Sequence, residues 1–437
     1  MQAVNVGICG LGTVGYGSFR VLKNNAHEIS RRLGKSLRVT HIATRHLGAE
    51  QDVGDIKISN DAMLLADDPE IEILLELIGG TDVARELVLR AIANGKHIVT
   101  ANKALIATHG NEIFAAARAN KVMVAYEAAV AGGIPIIKIL REGLAANQIE
   151  WLAGIINGTG NYILTEMHSR SRPFADVLKE AQAKGYAEAD PTYDIEGIDA
   201  AHKLAILSAI AFGTPLHLDK VYTEGIQDIT NEDMAYADEL GYCVKHLGIS
   251  RKTDAGIELR VHPSLVSKKR LIAKVDGVMN AVLLHGDAVG STLYYGAGAG
   301  DTPTASAVVA DVIDVVRRMD VDQDLVPALA FQPGELVDTP ILPISDIVSA
   351  YYLRISVQDK LGVIADITEI LGDSGINIDA IIQKDPDMTG GDHEHIPVII
   401  MTHEIQEAVL NQAIGEIEAL DAVVDKVCRI RVAELQD

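Results

Sequence analysis

A glycine-rich turn near the start of the chain constrains the fold more than any other feature. The apolar run Val4–Cys9 leads directly into a GxGxxG motif, and a helical pattern follows to about Asn25. The motif consists of Gly10, Leu11, Gly12, Thr13, Val14 and Gly15. Between a strand and a helix, such glycines permit a tight turn, close approach of a pyrophosphate, and close helix–strand packing. Its place directly after the first strand favours a dinucleotide site over a glycine-rich turn without a ligand.

Strand and helix patterns alternate through the first third of the chain. Four further apolar runs are separated by helix-length segments such as Thr81–Asn94 and Gly110–Asn120. These runs are Leu37–Thr44, Ile71–Leu77, His97–Thr100 and Lys121–Tyr126. Such alternation indicates parallel βαβ units in a doubly wound sheet. We therefore predict an α/β Rossmann-type domain over residues 1–130, completed by a helix over 304–320.

The tip of the second strand bears on the choice of nucleotide. An Asp or Glu there would bind the ribose 2′-hydroxyl of NAD. The chain instead has Arg45, and the next acidic residue is Glu50. A guanidinium suits a 2′-phosphate, so the sequence favours NADP(H), with NAD left open. The alternative for Arg45 is a solvated surface side chain.

Two further domains are expected. Residues 131–303 contain alternating runs and two helices, which predict an α+β substrate domain with an open sheet. These runs are Ile149–Ile156, Thr223–Ile229, Gly256–Val261 and Leu271–Val275. After a proline-containing linker over 321–349, residues 350–437 follow the order βαββαβ, which is typical of a ferredoxin-like unit with its own core.

Charge and composition exclude several function classes. The chain has 38 basic and 61 acidic residues, a formal net charge of −23, so nucleic acid is not an expected partner. No apolar run approaches the roughly 20 residues that span a bilayer. The 3 cysteines show no metal-binding spacing, which fits reduced thiols in the cytoplasm.

Candidate catalytic residues occur in two places. Thr100 ends a strand at the carboxyl edge of the sheet, and Lys103 follows it, either as a surface helix-start residue or as a ligand contact. Further on, Glu188 precedes Asp199 and Lys203, which are four residues apart and can share one face of a helix. They could form an ordinary exposed ion pair, but the following residues 204–212 are almost wholly apolar, so the helix is expected to be buried. A buried lysine beside a carboxylate is a plausible proton donor.

Four long motifs resemble homoserine dehydrogenases, in that family's order. They are Asn157-Gly158-Thr159 with Asn161-Tyr162-Ile163-Leu164, Ala187-Glu188-Ala189-Asp190-Pro191, Asp199-Ala200-Ala201-His202-Lys203-Leu204, and Gly296–Thr304. The resemblance covers the whole chain. It implies a reversible, NAD(P)H-dependent reduction of L-aspartate 4-semialdehyde to L-homoserine, in threonine, methionine and isoleucine biosynthesis.

The resemblance also implies roles for individual residues. Lys203 would donate the proton to the aldehyde oxygen, with Asp199 beside it. Glu188 would bind the substrate's α-amino group, Lys103 would contact substrate and nicotinamide, and Gly300 would contact the cofactor. A monovalent cation such as Na⁺ would be held by Glu127 and by the carbonyls of Val130, Gly132 and Ile134.

The C-terminal unit resembles an ACT domain, on residues 359–363 and 375–378. The resemblance implies an amino-acid effector at Gly362 and Asn377, with L-threonine as the expected ligand; a dimerisation module without a ligand is the alternative. It further implies a homodimer, or a homotetramer linked through the C-terminal units.

Two other functions are considered. Aspartate-semialdehyde dehydrogenase needs a nucleophilic cysteine, and none of Cys9, Cys243 and Cys428 is suitably placed. A non-catalytic regulator that binds nucleotide and amino acid would have no need of Glu188, Asp199 and Lys203 together.

Overall fold

A computed structural model describes residues 3–319, 326–384 and 395–435. Residues 321–325 of the expected linker lie outside the described residues. The strands are, in chain order, β1 (Ala3–Cys9), β2 (Ser36–Ala43), β3 (Lys57–Ser59), β4 (Ile73–Glu76), β5 (His97–Thr100), β6 (Val124–Ala125), β7 (Ile149–Ile155), β8 (Tyr222–Thr223), β9 (Tyr242–Thr253), β10 (Gly256–Ser267), β11 (Met279–Gly286), β12 (Gly290–Ala297), β13 (Val348–Ser349), β14 (Tyr351–Gln358), β15 (Ile378–Gln383), β16 (His395–Thr402), β17 (Ile405–Gln406) and β18 (Cys428–Val432). The helices are α1 (Thr13–Asn24), α2 (Ala26–Leu33), α3 (Met63–Asp67), α4 (Asp82–Ala93), α5 (Lys103–Ala119), α6 (Ile136–Lys138), α7 (Gly158–Arg170), α8 (Phe174–Ala183), α9 (Thr192–Ile195), α10 (Ile198–Phe212), α11 (Asn231–Glu239), α12 (Asp301–Arg318), α13 (Val363–Asp373) and α14 (Glu407–Glu418).

The first of two compact units comprises residues 1–158, 199–221 and 278–339. Its parallel sheet has the order β3-β2-β1-β4-β5-β6, which is the order of a doubly wound nucleotide-binding fold. β1 pairs with both β2 and β4, so the strand order reverses beside it. Ligands bind at such a reversal, outside the carboxyl ends of the strands. The Rossmann-type fold predicted from the sequence is confirmed.

One face of this sheet is covered by α12. Alternate side chains of the strands, such as Ile8, Leu75 and Val99, pack in one cluster with Val308 and Val312 of the helix. These two valines are four residues apart and so share one helix face. The same unit contains an antiparallel ladder in which β11 pairs with both β7 and β12.

The second unit comprises residues 159–198, 222–277 and 340–437. Its strands are ordered β9-β10-β18-β14-β16-β15. β10 and β18 run parallel, while β14 is antiparallel to β18 and to β16. Buried side chains of α13, α14 and β14 form one core, including Ile367, Leu410 and Leu353. The order β14-α13-β15-β16-α14-β18 is the predicted ferredoxin-like βαββαβ unit.

Two strand predictions in the second unit are wrong, one of them in part and the other entirely. Only β8 forms where a strand was expected over Thr223–Ile229. Residues Leu271–Lys274 form a 3₁₀ turn, not a strand. The carbonyl of Ala273 lies 3.6 Å from Cys243 Sγ, and that of Val275 accepts from Lys245 Nζ at 2.6 Å. Side chains therefore satisfy backbone groups that a neighbouring strand would otherwise pair.

No helix among the described residues has both the length and the apolar character needed to cross a membrane.

Candidate active site

The GxGxxG turn connects β1 to α1 at the point where the strand order reverses. Gly10 has φ +96°, and a Cβ on it would lie 2.4 Å from the carbonyl oxygen of Leu77. A Cβ on Gly15 would lie 2.0 Å from the Gly10 carbonyl oxygen. A Cβ on Gly12, by contrast, would meet nothing within 4 Å. The outer glycines are thus needed for packing, while open space at Gly12, beside the N-terminus of α1, fits the approach of a pyrophosphate.

The remaining motif residues and Arg45 lie around this turn. Leu11 is buried, and its carbonyl accepts from Gln51 Nε2 at 2.9 Å. Thr13 and Val14 open α1. Arg45 is exposed, two residues beyond the end of β2. That is the strand tip at which this fold reads the ribose of a dinucleotide.

A buried carboxyl group organises the neighbouring strand ends. Glu76 ends β4 with no exposed surface, and it accepts from Thr100 Oγ1 at 2.6 Å and from the Ile78 N–H at 3.1 Å. Burial raises the pKa of the Glu76 carboxyl, against these hydrogen bonds. Thr100 is fully buried, and this contact engages its hydroxyl. Asn102 caps α5 by accepting from the Leu105 N–H at 3.1 Å, which fixes the first helical residue, Lys103.

Lys103, Asp199 and Lys203 come together at the starts of α5 and α10. Lys203 Nζ lies 2.7 Å from Asp199 Oδ2, and Lys103 Nζ lies 3.1 Å from Asp199 Oδ1. Asp199 is 4% exposed and Lys203 is 9% exposed. The burial expected from the apolar residues 204–212 is therefore observed, and the pair is not an ordinary surface salt bridge.

The residues before α7 complete the surroundings of Asp199. The carbonyl oxygen of Ile156 accepts from Lys203 Nζ at 2.7 Å. The amide of Asn157 donates to Asp199 Oδ2 at 2.9 Å. Burial would raise the pKa of the Asp199 carboxyl, but the charges of Lys203 and then Lys103 hold it well below its usual range. The cluster therefore keeps an ionised carboxylate between two ammonium groups.

Glu188 belongs to the second unit, whereas the two lysines and Asp199 belong to the first. It is exposed, between α8 and α9, and its backbone carbonyl accepts from Gln182 Nε2 at 3.1 Å.

The glycine-rich loop after β12 packs against the segment expected to bind a cation. Gly300 has φ +130° and immediately precedes α12. The Gly133 N–H donates to the Ala297 carbonyl at 2.9 Å. A Cβ on Gly132 would lie 2.7 Å from the Gly298 carbonyl oxygen. The two loops therefore approach each other too closely to accommodate a side chain at position 132.

Glu127, at the start of the segment expected to bind a cation, is buried. Its carboxylate oxygens accept from the backbone N–H groups of Ile137 and Lys138, both at 2.8 Å. Burial raises the pKa of Glu127 to about 7. The carbonyl of Ile134 accepts from the Ile136 N–H at 2.7 Å, which leaves it a second lone pair. Hard oxygen donors of this kind fit a cation such as Na⁺.

In the C-terminal unit, Gly362 has φ +95° and precedes α13. The carbonyl of Asn377 accepts from the His403 N–H at 2.9 Å. Leu361, beside Gly362, is fully exposed.

Comparison with known proteins identifies the family. Three family models match: homoserine dehydrogenase over residues 135–313, the NAD binding domain of homoserine dehydrogenase over 10–127, and the ACT domain over 351–422. Homoserine dehydrogenase of Pseudomonas aeruginosa is 60% identical, with 100% of each chain covered. This chain belongs to the homoserine dehydrogenase family.

Other homoserine dehydrogenases agree with this assignment. The Neisseria gonorrhoeae protein is 52% identical, with 100% of each chain covered. The crystal structure from Thiobacillus denitrificans matches at 60% identity with a TM-score of 0.94, covering 100% of this chain and 99% of that one. A hyperthermophilic archaeal homoserine dehydrogenase in complex with NADPH matches at 27% identity and a TM-score of 0.62, covering 72% and 98%. The chain is therefore an oxidoreductase with a pyridine-nucleotide domain and an ACT domain, and the predicted resemblance is confirmed.

Several groups that shape this homoserine dehydrogenase site were not predicted as site residues. They are Glu76, the carbonyl of Ile156 and the amide of Asn157. Glu76 offered one signal, a carboxyl group at the carboxyl end of an apolar run in a predicted parallel sheet. The carbonyl of Ile156 offered none, because any residue carries a backbone carbonyl.

Proposed function

We propose that this enzyme reduces L-aspartate 4-semialdehyde to L-homoserine, reversibly, with Lys203 as the proton donor. The observation that carries the proposal is the hydrogen bonding of Lys203 Nζ. An ammonium group has three N–H donors. Two of them are engaged, by the Ile156 carbonyl and by Asp199. The third has no acceptor among the described residues, and it can serve the oxygen of a substrate.

The chemistry follows from this arrangement. The nicotinamide supplies the hydride when it is bound. Negative charge then develops on the aldehyde oxygen, and a fixed ammonium both stabilises this charge and donates the proton. Asp199 holds Lys203 in place. Its negative charge also offsets the electrostatic repulsion between Lys203 and Lys103, which both contact it. Lys103 is the proposed partner of the substrate carboxylate and the nicotinamide, and Glu188 that of the substrate α-ammonium.

NADPH is the proposed cofactor. Support comes from the exposed Arg45 at the tip of β2 and from the archaeal relative in complex with NADPH. The pyrophosphate would lie against the backbone of residues 10–15. Thr100 and Gly300 would lie beside the remainder of the dinucleotide.

Further ligands and the assembly are proposed on the family pattern. Na⁺ would be held by the Glu127 carboxylate with the carbonyls of Val130, Gly132 and Ile134. L-Threonine would bind at Gly362 and Asn377, at an interface between two chains in a homodimer or homotetramer. Inhibition by threonine would then serve as feedback on threonine, methionine and isoleucine biosynthesis, and it requires different threonine affinities in two states of the enzyme.

The test is turnover by the purified full-length protein, followed at the absorbance band of reduced nicotinamide. L-Homoserine should support reduction of NADP⁺, with NAD⁺ compared in parallel, while L-serine and L-threonine should not. The product is trapped and identified as L-aspartate 4-semialdehyde. No homoserine-dependent turnover with either nucleotide would contradict the proposal.

A further inference from the structure

A cavity of about 780 Å³ lies within the first unit, and none of the candidate site residues lines it. Its walls are mostly apolar, and they include Phe114, Val122, Leu329, Phe331 and Leu336. A volume of this size is typical of pockets that bury a small organic ligand.

Three helices connect the candidate active site to this cavity. α5 begins at Lys103, and its Phe114 lines the cavity. α10 carries Asp199 near its start, and Pro215, shortly after its end, lines the cavity. α12 begins after Gly300 and ends at Arg318, which is also in the wall. At about 1.5 Å per residue, the eleven residues of α5 from Lys103 to Phe114 separate the two places by roughly 17 Å. The cavity is therefore distinct from the proposed active site.

Three arginines line the cavity, and two of them, Arg141 and Arg318, are at least partly buried. Arg141 is 7% exposed, and no described residue accepts a hydrogen bond from its Nε. Its Nη2 lies 3.0 Å from Glu142 Oε1. Arg318 Nε donates to the Asp314 backbone carbonyl at 3.3 Å, and no carboxylate of the described residues forms an ion pair with it. Burial, followed by the positive charge of Arg141, lowers the pKa of the Arg318 guanidinium, against the opposing charges of Glu142, Asp314 and Asp311.

These features define what would complete the site. A buried N–H donor without an acceptor is unfavourable. An anion bound between the two guanidiniums would supply an acceptor for this N–H, and planar guanidiniums match the oxygens of a carboxylate well. The apolar walls require an apolar body on the same molecule.

We propose that this cavity is a second ligand site, for an amphipathic acid whose anionic group lies at Arg141 and Arg318 and whose apolar body packs on Phe114 and Leu329. The ligand class is a small organic acid with a hydrocarbon or aromatic body.

The test uses two fluorescent probes of similar shape, the anion 8-anilinonaphthalene-1-sulfonate and the neutral N-phenyl-1-naphthylamine. Each is titrated into the full-length protein with NADP⁺ in excess, so that the nucleotide site does not contribute. The anionic probe should bind saturably at one site per chain. Arg318→Gln should weaken its binding about tenfold, through loss of a charge-assisted hydrogen bond, and leave the neutral probe nearly unchanged.

The neighbouring Arg317 provides the matched control. Its side chain is 49% exposed and pairs with Asp314 at 3.4 Å. Arg317→Gln should leave both probes unchanged. Ala115→Trp, at an exposed part of the wall, should exclude both probes while circular dichroism stays that of the wild type. Three results would overturn the proposal: no saturable binding, an equal loss in Arg317→Gln, or unaltered binding of both probes to a folded Ala115→Trp variant.

Discussion

Lys203 and Asp199 form a buried ion pair one helical turn apart on α10, with 2.7 Å between Nζ and Oδ2. The other oxygen of the same carboxylate lies 3.1 Å from Lys103 Nζ. One carboxylate thus connects a residue at the start of α5 with one on α10.

Replacing Asp199 by Asn tests this arrangement. The variant keeps the shape of the side chain but leaves two ammonium groups facing each other without a counter-charge. We expect kcat to fall at least tenfold, and breaking a buried pair costs about 3–5 kcal/mol of unfolding free energy. Steady-state kinetics and urea unfolding measure the two effects. Asp314→Asn, which removes a carboxylate paired with Lys138, should lower stability but leave kcat within about twofold. Wild-type kcat in Asp199→Asn would contradict the assignment.

Arg45 is expected to determine the nucleotide preference. Arg45→Glu removes a guanidinium from the tip of β2 and introduces a carboxylate, which repels a 2′-phosphate and suits a 2′-hydroxyl. The ratio of kcat/KM for NADP⁺ to that for NAD⁺ should fall roughly 10- to 100-fold. Arg38, exposed near the other end of β2, is the matched control, and Arg38→Glu should leave the ratio unchanged. Equal ratios in wild type and Arg45→Glu would leave Arg45 as a solvated surface side chain.

Because Glu127 is buried, we expect the effect of sodium on the stability of the protein to depend on pH. Burial raises its pKa to about 7 in the folded protein, against about 4.3 in an unfolded chain. This group's contribution to stability is therefore complete below about pH 4 and is lost as the pH rises through about 7. A bound cation favours the ionised carboxylate, so replacing tetramethylammonium by Na⁺ should raise the Tm more at about pH 8 than at about pH 6.

The control for this effect is the Glu127→Gln variant, in which the Tm should respond to the two cations equally at both pH values. Glu112→Gln, an exposed carboxylate paired with Arg85, should behave as the wild type does. A sodium effect of the same size at both pH values would count against a cation at Glu127.

We expect Arg431 to transmit the proposed effect of threonine within the second unit. It is fully buried in β18, and its guanidinium contacts Glu407 at 2.7 and 2.6 Å and Glu224 at 2.8 Å. Close after Glu224, the Ile226 N–H donates to the carbonyl of Ile195 at 3.0 Å. Ile195 lies in α9, in the segment that leads from Glu188 to α10. Arg431→Lys keeps the charge but loses the planar fork, so the threonine concentration for half-inhibition should rise about tenfold.

Arg354→Lys is the matched control for Arg431→Lys. Arg354 also pairs with a buried carboxylate, with Nε 2.7 Å from Asp233 Oδ1, but Asp233 lies on α11. Inhibition by threonine should be unchanged in this variant. Equal shifts in both variants would indicate a general loss of packing and not a specific connection.

Local patterns were enough to predict most of the fold. The GxGxxG turn and the alternating runs gave the Rossmann-type sheet, because turn chemistry and apolar periodicity are local properties. The interpretation of Leu271–Val275 as a strand was wrong. The groups that contact the backbone carbonyls of this segment are the side chains of Cys243 and Lys245, which are about thirty residues away in the chain. Nothing in the local pattern indicates such a partner.

The candidate site also combines residues that could be predicted from the sequence with contacts that could not. Asp199 and Lys203 could be named because charged residues beside an apolar helix must meet partners, and Lys103 because it follows a strand at the carboxyl edge of the sheet. That Thr100 would bury its hydroxyl against Glu76 could not be predicted, since the pairing depends on the register of β4 and β5. The sequence predicts which groups need partners, and the tertiary fold determines which partners they find.

The most direct test of the proposed mechanism is the turnover of Lys203→Ala with homoserine and NADP⁺. We predict that kcat falls by about 10² or more, while NADP⁺ binding, measured by calorimetry, stays that of the wild type. Lys96 is the matched control: it is 2% exposed, its Nζ donates to the Ile71 carbonyl at 3.0 Å, and it precedes β5 at the opposite edge of the sheet. Lys96→Ala should keep kcat within about threefold even if it loses stability. A Lys203→Ala enzyme that binds NADP⁺ and turns over within tenfold of the wild type would contradict the assignment of Lys203 as the proton donor.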